Sequence, residues 1–485
     1  MSALPGEPPW NPDFGLAFNG PAPSIRAFPV SIFLRRVASY LSAEAVVAPP
    51  GFSRWLVPPA AMAVHLCIGE VYGFSVFNEP LTRTLGITRS LPDQDWAIPA
   101  VGWIYSIALI MLGLSGAVLG KWVDRRGPRC AMLASAACFC GGLFLSSLGV
   151  HWHQLWLVYL GYGVLGGIGL GLGYIAPVST LMKWFPDRPG LATGLAIMGF
   201  GGGALIGAPL GQELMSFFKS PTSTGVAAAF CAMAAIYAVF MVFGAATIRV
   251  PARDWTPDGW TPAAGRKAAA PFAVGVDRAW RTRQFWLLWA VLALNVTAGI
   301  GILGQASLMC QDLFGVSATV GAGFAGLLSL FNMGGRFIWS SASDRTGRKA
   351  IYSVYFLLGA ALYCLIPWTQ GIQSQVLFVI VTAVIISMYG GGFSTIPAYL
   401  RDIFGTHQVG AIHGRLITAW SFAALVGPQL VNYLSDARKA AGVPKAEAYN
   451  PTLYLMAGLL VVGCICNLLV RPLDPRHHLP AHSLP

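Results

Sequence analysis

Twelve apolar segments, each about 20 residues long, recur along this chain of 485 residues and limit what it can fold into. A segment of that length is what an α-helix needs to cross the hydrocarbon core of a bilayer. Backbone polar groups must be satisfied internally there, so we expect an all-α membrane protein with 12 transmembrane helices. The predicted spans are 55–77, 98–120, 130–150, 155–182, 190–212, 225–247, 285–308, 319–341, 350–368, 376–400, 410–433 and 451–470.

Charged residues are few and unevenly distributed. Only 10% of the residues are charged and 55% are apolar, which is too little charge to cover a soluble domain. With the amino terminus inside, 23 Lys and Arg lie on the cytoplasmic side and 6 on the other side. This imbalance predicts that both termini are cytoplasmic, and it explains the net charge of +12 without a nucleic-acid partner. We expect a multi-pass protein of the lipid bilayer, in a bacterial inner membrane.

The two halves of the chain are related. Asp124-Arg125-Arg126-Gly127, after the second span, returns 220 residues later as Asp344-Arg345-Thr346-Gly347, after the eighth. The same offset relates Gly171 to Gly391, Pro177 to Pro397, Gly190 to Gly410, Gly194 to Gly414 and Gly207 to Gly427. Such a repeat indicates a duplicated six-helix unit. We expect two pseudo-symmetric six-helix bundles, 54–248 and 285–471, joined by a cytoplasmic linker, 249–284, and followed by a cytoplasmic tail, 472–485.

Residues 1–53, the predicted cytoplasmic tail, differ from the rest of the chain. The stretch 1–23 is rich in Pro and Gly, which favours disorder. Residues 24–48 mix basic and apolar side chains in a way that suits an amphipathic helix lying on the membrane. A transit peptide and a start site assigned too early are alternative interpretations. No cleavable signal peptide is evident, because the first span begins only near Trp55.

The loops after the second and eighth spans carry a shared motif. Residues 120–129 fit the pattern G-x-x-x-D-R-x-G-x-R, and residues 340–349 keep most of it, with Ser340 at the first glycine. This resembles the loop motif of the major facilitator superfamily. An Asp at a helix end can face the positive amino end of a neighbouring helix, and glycine permits a tight turn. We expect a conformational latch between the bundles, formed by Gly120, Asp124, Arg125, Gly127, Arg129, Asp344, Arg345 and Gly347; a basic loop that only sets orientation is the alternative.

The eighth span carries polar residues on one face. Ser329, Asn332, Arg336 and Ser340 follow one another at helical spacings of three or four. An arginine inside the bilayer costs about 2.5 kcal/mol or more if it meets lipid. We therefore expect Arg336 to face the centre of the molecule near mid-bilayer and to bind an anion, since its planar fork suits a carboxylate. A structural arginine that satisfies helix carbonyls is the alternative.

Residues 54–473 resemble, more closely, the oxalate/formate antiporter family of that superfamily. The resemblance is carried by Trp184-Phe185-Pro186-Asp187-Arg188, the Gly-rich run 199–203 and the segment 329–336. It implies secondary transport of a small organic anion by alternating access. It also implies that an arginine of the eighth span binds the carboxylate, and Arg336 falls on that position.

Two positions depart from these relatives. Oxalate-transporting members of the family carry a lysine on the eleventh span, where this chain has Trp420. A dianion would then meet one cation rather than two. Proton-coupled monocarboxylate carriers, which also resemble this helix, carry an aspartate four residues before the arginine, where this chain has Asn332. A monocarboxylate such as formate, lactate or pyruvate is therefore expected rather than oxalate.

Depth along the spans selects further candidates for the substrate site: Trp420, Tyr389, Asn295 and Tyr174. The family resemblance suggests that aromatic rings box a small anion, although each of these residues is more often a helix-packing residue. Glu70 either carries a coupling proton or stays protonated and hydrogen-bonded to a neighbouring helix. On an ideal helix Glu70 lies about 10 Å above Arg336 and about 140° from His65, so Glu70 and His65 cannot both point at the centre.

Nothing in the sequence indicates an enzyme, a metal site or a cofactor. No G-x-x-x-x-G-K-[ST] loop for ATP occurs, so a gradient would drive transport, with protons as the coupling ion or by antiport. The nine cysteines show no metal-ligand spacing. A proton-coupled drug antiporter is an alternative, because 207–211 resembles the glycine-proline motif of exporters, although Arg336 would repel a cationic drug. A non-transporting membrane metabolite sensor is the alternative from another class.

Overall fold

Long helices occupy each of the twelve predicted spans. The computed structural model describes residues 39–479, apart from 92, 254, 261–272 and 445–446. Residues from Leu41 onward form one unit. Spans 1 to 12 are, in chain order, Arg54–Leu81, Ile98–Arg126, Pro128–His151, Leu155–Trp184, Pro189–Phe218, Val226–Thr247, Arg283–Phe314, Ala318–Thr346, Arg348–Gly371, Gln375–Phe404, Val409–Ala440 and Glu447–Leu469.

Eleven of these segments are long and apolar enough to cross a membrane. The exception is span 8, whose 29 residues would measure about 44 Å, more than the bilayer requires. Its polar residues lower its hydropathy, and Asn332, Arg336 and Ser340 are buried among neighbouring helices. The described residues contain no strand, only isolated bridges such as Val47 with Val250. The all-α fold predicted from the sequence is confirmed.

Three spans are irregular inside. Span 1 is α-helical over Val57–Ile68 and becomes a 3₁₀ helix over Gly69–Phe77. Span 4 contains a π-helical stretch, Tyr159–Gly166, between two α-helical parts. Span 11 breaks at Ile417. The other parts of these spans are Arg54–Leu56 and Asn78–Leu81 in span 1, Leu155–Val158 and Gly167–Trp184 in span 4, and Val409–Leu416 and Thr418–Ala440 in span 11. Span 12 consists of the 3₁₀ turn Glu447–Tyr449 and the α-helix Asn450–Leu469. The short helices outside the spans are Glu44–Val46, Val276–Ala279 and Pro475–His477.

The helices pack as two sets of six. Spans 1–6, the first bundle, contact one another, and so do spans 7–12, the second bundle. Between the bundles, span 5 packs on span 8 and span 2 packs on span 11. Glycine makes both contacts close, because a side chain on Gly194 would collide with Ser340 and one on Gly414 would collide with the backbone of Gly116. Small residues thus let the two bundles meet backbone to backbone.

The tail and the linker meet beside the first bundle. Residues 1–38, which include the stretch predicted to be disordered and most of the predicted interfacial helix, lie outside the described residues. Residues 41–53, the last part of the predicted tail, are not α-helical. Glu44–Val46 is a 3₁₀ turn, and the Ala48 amide donates to the Val250 carbonyl over 2.9 Å. The predicted boundaries of bundles, linker and tails stay predictions.

Candidate functional site

The polar face of span 8 is buried as the spacing predicts. Arg336 and Ser340 are fully buried, and Asn332 is 1% exposed. The side chain at position 332 accepts a hydrogen bond through Oδ1 from Arg336 Nε over 3.0 Å. The Ser340 hydroxyl donates to the Arg336 carbonyl. One turn of helix therefore supplies both the cation and the amide that orients it.

The guanidinium of Arg336 is held by groups from the first bundle. It donates to the Ile197 carbonyl over 3.3 Å and to the Tyr72 hydroxyl over 3.4 Å. Three aromatic rings surround the guanidinium carbon, Cζ. The ring centroids of Tyr72, Phe200 and Phe393 lie 5.8, 5.7 and 5.1 Å from it. In the part of the chain that the structure describes, Arg336 forms no salt bridge. The site therefore holds a buried positive charge stabilised by rings and neutral acceptors.

Three of the predicted aromatic residues join this cluster. Trp420 lies 4.7 Å from Phe393 and 5.3 Å from Phe200 between ring centroids. Tyr174 lies 5.7 Å from Trp420, and Tyr389 lies 5.2 Å from Phe393. Together these form a cluster that we call the aromatic box: Tyr72, Tyr174, Phe200, Tyr389, Phe393 and Trp420. Spans 1, 4 and 5 of one bundle and spans 10 and 11 of the other contribute to it.

Two members of the aromatic box have unused hydrogen-bonding atoms. Trp420 Nε1 and Tyr174 Oη are buried and have no partner among the residues described. An indole N–H can only donate, and a phenol can donate as well as accept. A buried donor without an acceptor costs about 1–3 kcal/mol. The box thus combines a positive charge with two donors that can serve an anionic ligand.

Asn295 lies next to one member of the aromatic box, Tyr389. It lines a small cavity inside the second bundle together with residues that include Tyr355, Tyr363 and Tyr389. Its Oδ1 atom is buried without a partner among the described residues. Asn295 forms no hydrogen bond with Arg336 among the described residues, and its place in the substrate site stays a prediction.

Glu70 lies apart from Arg336, inside the first bundle. Its Oε2 accepts a hydrogen bond of 2.9 Å from Tyr162 on span 4, and its Oε1 has no partner in the described part of the chain. Span 5 is a second neighbour of Glu70, because Gly207 packs on the Glu70 side chain. Glu70 and His65 face different partners, because His65 stacks on Tyr174 whereas Glu70 bonds to Tyr162. The 3₁₀ stretch of span 1 begins between them, at Gly69. The contact with Tyr162 matches the alternative of a carboxyl bonded to a neighbouring helix.

The two loop aspartates contact helix starts in the opposite bundle. Asp124 accepts the Ala411 amide over 3.0 Å at the start of span 11. Asp344 accepts the amides of Gly190 and Leu191 over 2.8 and 2.9 Å at the start of span 5. Each carboxylate thus lies at the positive end of a helix dipole, as the motif predicts. We call this the latch end of the molecule.

The other motif residues divide into packing and exposed positions. Gly127 and Gly347 have φ of 83° and 88°, which suits glycine. Gly120 is instead inside the helix, where a side chain would strike Ala411, so it permits close packing rather than a tight turn. Arg129 is buried and donates to the Ala45 carbonyl. The predicted latch residues Arg125 and Arg345 are exposed, and the cation bonded to Asp344 is Arg348, over 2.6 Å.

Comparison with known proteins decides the family. Residues 60–428 and 339–483 match the Major Facilitator Superfamily. The chain belongs to this superfamily. It is 27% identical over 382 residues to the oxalate:formate antiporter of Oxalobacter formigenes, covering 77% of this chain and 83% of that relative. It is 23% identical over 445 residues to apicoplast pyruvate carrier 1 of Toxoplasma gondii, covering 80% and 77%.

A solved structure supports the same fold. The proton:xylose symporter XylE is similar with a TM-score of 0.62 at 14% identity, covering 86% of this chain and 96% of that chain. At this identity the likeness concerns the fold alone. The chain is thus a multi-pass integral membrane protein of the major facilitator fold, and it resembles the oxalate/formate antiporter family.

Two sets of contacts join the bundles around Arg336. At the latch end the two aspartates bond to helix starts of the opposite bundle. The hydroxyls of Tyr72 and Tyr389 lie 3.2 Å apart and link span 1 to span 10. Arg336 itself has no exposed surface, whereas Tyr72 is partly exposed.

Sequence reasoning missed three residues of the aromatic box, namely Tyr72, Phe200 and Phe393. Phe200 is the only large side chain in the Gly-rich run 199–203, which was a usable signal. Phe393 follows three glycines on span 10 in a similar setting. Tyr72 had no such signal, because its position depends on the 3₁₀ stretch of span 1.

Proposed function

We propose that this transporter carries a small organic monocarboxylate by alternating access, with Arg336 as the ligand of the carboxylate. The environment of Arg336 supports this proposal. The guanidinium is buried without a salt bridge among the described residues. Trp420 and Tyr174, whose donors have no partner among the described residues, contact Phe200, a ring that flanks the guanidinium. A carboxylate supplies both the missing negative charge and the missing acceptors. Its planar shape also fits the fork of the guanidinium and the surrounding rings.

A monoanion suits this site better than a dianion. Arg336 is the cation that contacts the aromatic box, through Tyr72, Phe200 and Phe393. Trp420 stands where oxalate-transporting relatives are expected to have a lysine. Relatives named as an oxalate:formate antiporter and as a pyruvate carrier indicate the class of small carboxylates. The charge in the box favours the singly charged members of that class.

Alternating access would use the latch end as one gate and the Tyr72–Tyr389 contact as the other. We place the latch end and both termini in the cytoplasm, with the protein in a bacterial inner membrane, on the distribution of Lys and Arg. Binding near the middle of the bundles and gating at both ends follow the general plan of such transporters.

Uptake by proteoliposomes tests the proposal. Purified protein is reconstituted and assayed with radiolabelled formate, lactate, pyruvate and oxalate. We expect uptake of one or more monocarboxylates, its loss in Arg336→Gln, and only partial function in Arg336→Lys, which keeps the charge without the fork. Arg438→Gln, at an exposed arginine of span 11, is the matched control and should transport normally.

Near-normal uptake by Arg336→Gln would refute the site. A protein that binds a monocarboxylate without flux would instead fit a metabolite sensor. Efflux of a lipophilic cation with no carboxylate transport would support the drug antiporter, which a buried arginine without an acidic partner disfavours.

A further inference from the structure

His65 is a buried histidine that the proposed carboxylate site does not use. It has no exposed surface and lies on the α-helical part of span 1. Its Nδ1 is bonded to the Ala196 carbonyl of span 5, and its Nε2 lies 3.3 Å from the Tyr174 carbonyl of span 4. The ring stacks on Tyr174 with centroids 5.6 Å apart. Both ring nitrogens thus face acceptors that cannot donate.

A neutral imidazole carries one N–H and cannot satisfy two carbonyls, whereas an imidazolium carries two. Span 4 is rich in acceptors at this point, because Pro177 lies inside the helix and has no N–H for the Gly173 carbonyl. The hydrogen-bonding geometry, taken alone, therefore favours a second proton at Nε2, because each of the two carbonyls would then receive an N–H. The opposing factors are burial and the nearby positive charge of Arg336.

His65 and Arg336 are held by the same turn of span 5. Arg336 donates to the Ile197 carbonyl, and His65 bonds to the preceding carbonyl, that of Ala196. Phe200, one turn further, lies edge-on to His65 at 6.4 Å and also contacts Arg336. The charged group that acts on His65 is Arg336 of span 8. Tyr174 of span 4 stacks on its ring, and His413 of span 11 lies behind Tyr174 at 5.7 Å. Cys67 and Glu70 follow His65 on its own span, and span 5 presents the Ala196 carbonyl.

We propose that His65 is the proton-binding site that couples this transporter to a proton gradient, so that one proton travels with one monocarboxylate. This inference rests on the proposed anion site at Arg336. The empty site has neutral His65 and the single charge of Arg336. An anion beside Arg336 removes the repulsion on His65, and a proton then binds Nε2. The occupied site again carries one net positive charge, and both ligands leave on the other side.

The coupling is reciprocal, since each ligand must raise the affinity for the other by the same factor. Glu70 is the competing proton carrier, but its carboxyl is bonded to Tyr162 within the first bundle. His65, by contrast, bonds to the same turn of span 5 as Arg336 does. Anion binding would therefore act on His65 more strongly than on Glu70.

The test follows protons and anions together in proteoliposomes that contain a trapped pH dye, with protein-free liposomes as the control for passive entry of the undissociated acid. The probe is radiolabelled formate, lactate or pyruvate, whichever the wild type transports best. We expect a gradient of this anion to acidify the lumen in the wild type. The anion affinity should rise about tenfold per unit fall in pH wherever one proton binds with each anion.

Two substitutions separate the carriers. His65→Gln should lose lumen acidification and the pH dependence while keeping exchange of labelled for unlabelled anion, and Glu70→Gln should behave as the wild type. If His65→Gln does not fold, the wild-type proton-to-anion ratio still decides whether protons move. Anion exchange without proton movement, or uncoupling by Glu70→Gln alone, overturns this inference and leaves the anion site standing. No carboxylate transport at all overturns the proposed function itself.

Discussion

Neutral hydrogen-bond acceptors and aromatic rings surround Arg336 inside the helices. Asn332, the Ile197 carbonyl and the Tyr72 hydroxyl accept its N–H groups, and the rings of Phe200 and Phe393 flank it. The contact between Asn332 and Arg336 could be predicted, because it depends on helical spacing alone. The contacts with Tyr72 and Phe393 could not, because they depend on how separate helices pack. Depth counting gives height but not direction, so it could not show that Asn295 lines a cavity together with Tyr389.

A carboxylate at position 332 should compete with the substrate. Asn332→Asp places an acid 3.0 Å from Arg336 Nε and forms an internal ion pair. We expect monocarboxylate affinity at neutral pH to fall by about 10- to 150-fold, the equivalent of one charge-assisted contact of about 1.5–3 kcal/mol. Acid pH should restore part of it by neutralising the new carboxyl. The measurement is the KM for uptake across pH, and an unchanged KM at neutral pH would contradict the role of Arg336.

A cation at position 420 should change the preference between anions. Trp420 lies in the aromatic box with its N–H free, so Trp420→Lys adds a second positive charge near Arg336. Attraction between unit charges is about 4 kcal/mol at 4 Å with an effective dielectric near 20, and desolvation of the lysine offsets part of it. We expect the ratio of oxalate to formate affinity to rise about tenfold or more. Trp420→Phe, which removes only the N–H and one ring, is the control, and an unchanged ratio in active Trp420→Lys would remove this residue from the site.

Span 1 shows where helix-based reasoning ends at the scale of a single element. Its α-helix tightens to 3₁₀ geometry at Gly69, where the backbones of span 1 and span 5 meet: a side chain on Gly203 would strike Gly69. Hydrophobic periodicity locates such a span but does not reveal a change of helix type that depends on packing. His65 lies in the α-helical part and Glu70 in the 3₁₀ part, so an ideal helix does not give their relative direction.

The two latches offer a comparison between equivalent elements. Asp124 accepts one amide, whereas Asp344 accepts two and pairs with Arg348. Asp124→Asn should slow exchange with little change in substrate affinity, because the latch stabilises a conformation and does not touch the substrate. Asp344→Asn should slow exchange further, since more contacts are lost. Initial exchange rates and KM values test this, and a collapse of affinity with unchanged cycling would refute the latch.

At the scale of the whole molecule, the internal repeat predicted more than the fold class. An offset of 220 residues relates Asp124 to Asp344 and Gly190 to Gly410, and the structure pairs each aspartate with the helix start of the opposite half. The sequence could not predict which conformation these contacts stabilise. That depends on the balance between the latch end and the Tyr72–Tyr389 contact, which involve distant parts of the chain.

The linker adds a bridge across the latch end. Asp277, in the short helix Val276–Ala279, accepts from Lys121 of the first bundle over 2.5 Å and from Arg415 of the second over 2.9 Å. Hydrogen bonds from these two cations lower the pKa of Asp277. A lowered pKa means that the bridge is fully formed above the ordinary pKa of the carboxyl and is lost only as pH falls through the lowered value. At neutral pH the bridge is therefore intact.

Removing this charge should shift the whole transporter towards opening at the latch end. Asp277 is 61% exposed, so we expect Asp277→Asn to change the open population by less than about fivefold, as for an exposed ion pair of at most about 1 kcal/mol. Spin labels at exposed positions 126 and 346, one on each bundle, report the opening as a distance distribution. Asp258→Asn, elsewhere in the linker, is the control. The difference should shrink at about 1 M salt, where the screening length is about 3 Å. A difference that is fully unchanged there would show that the bridge does not act through charge.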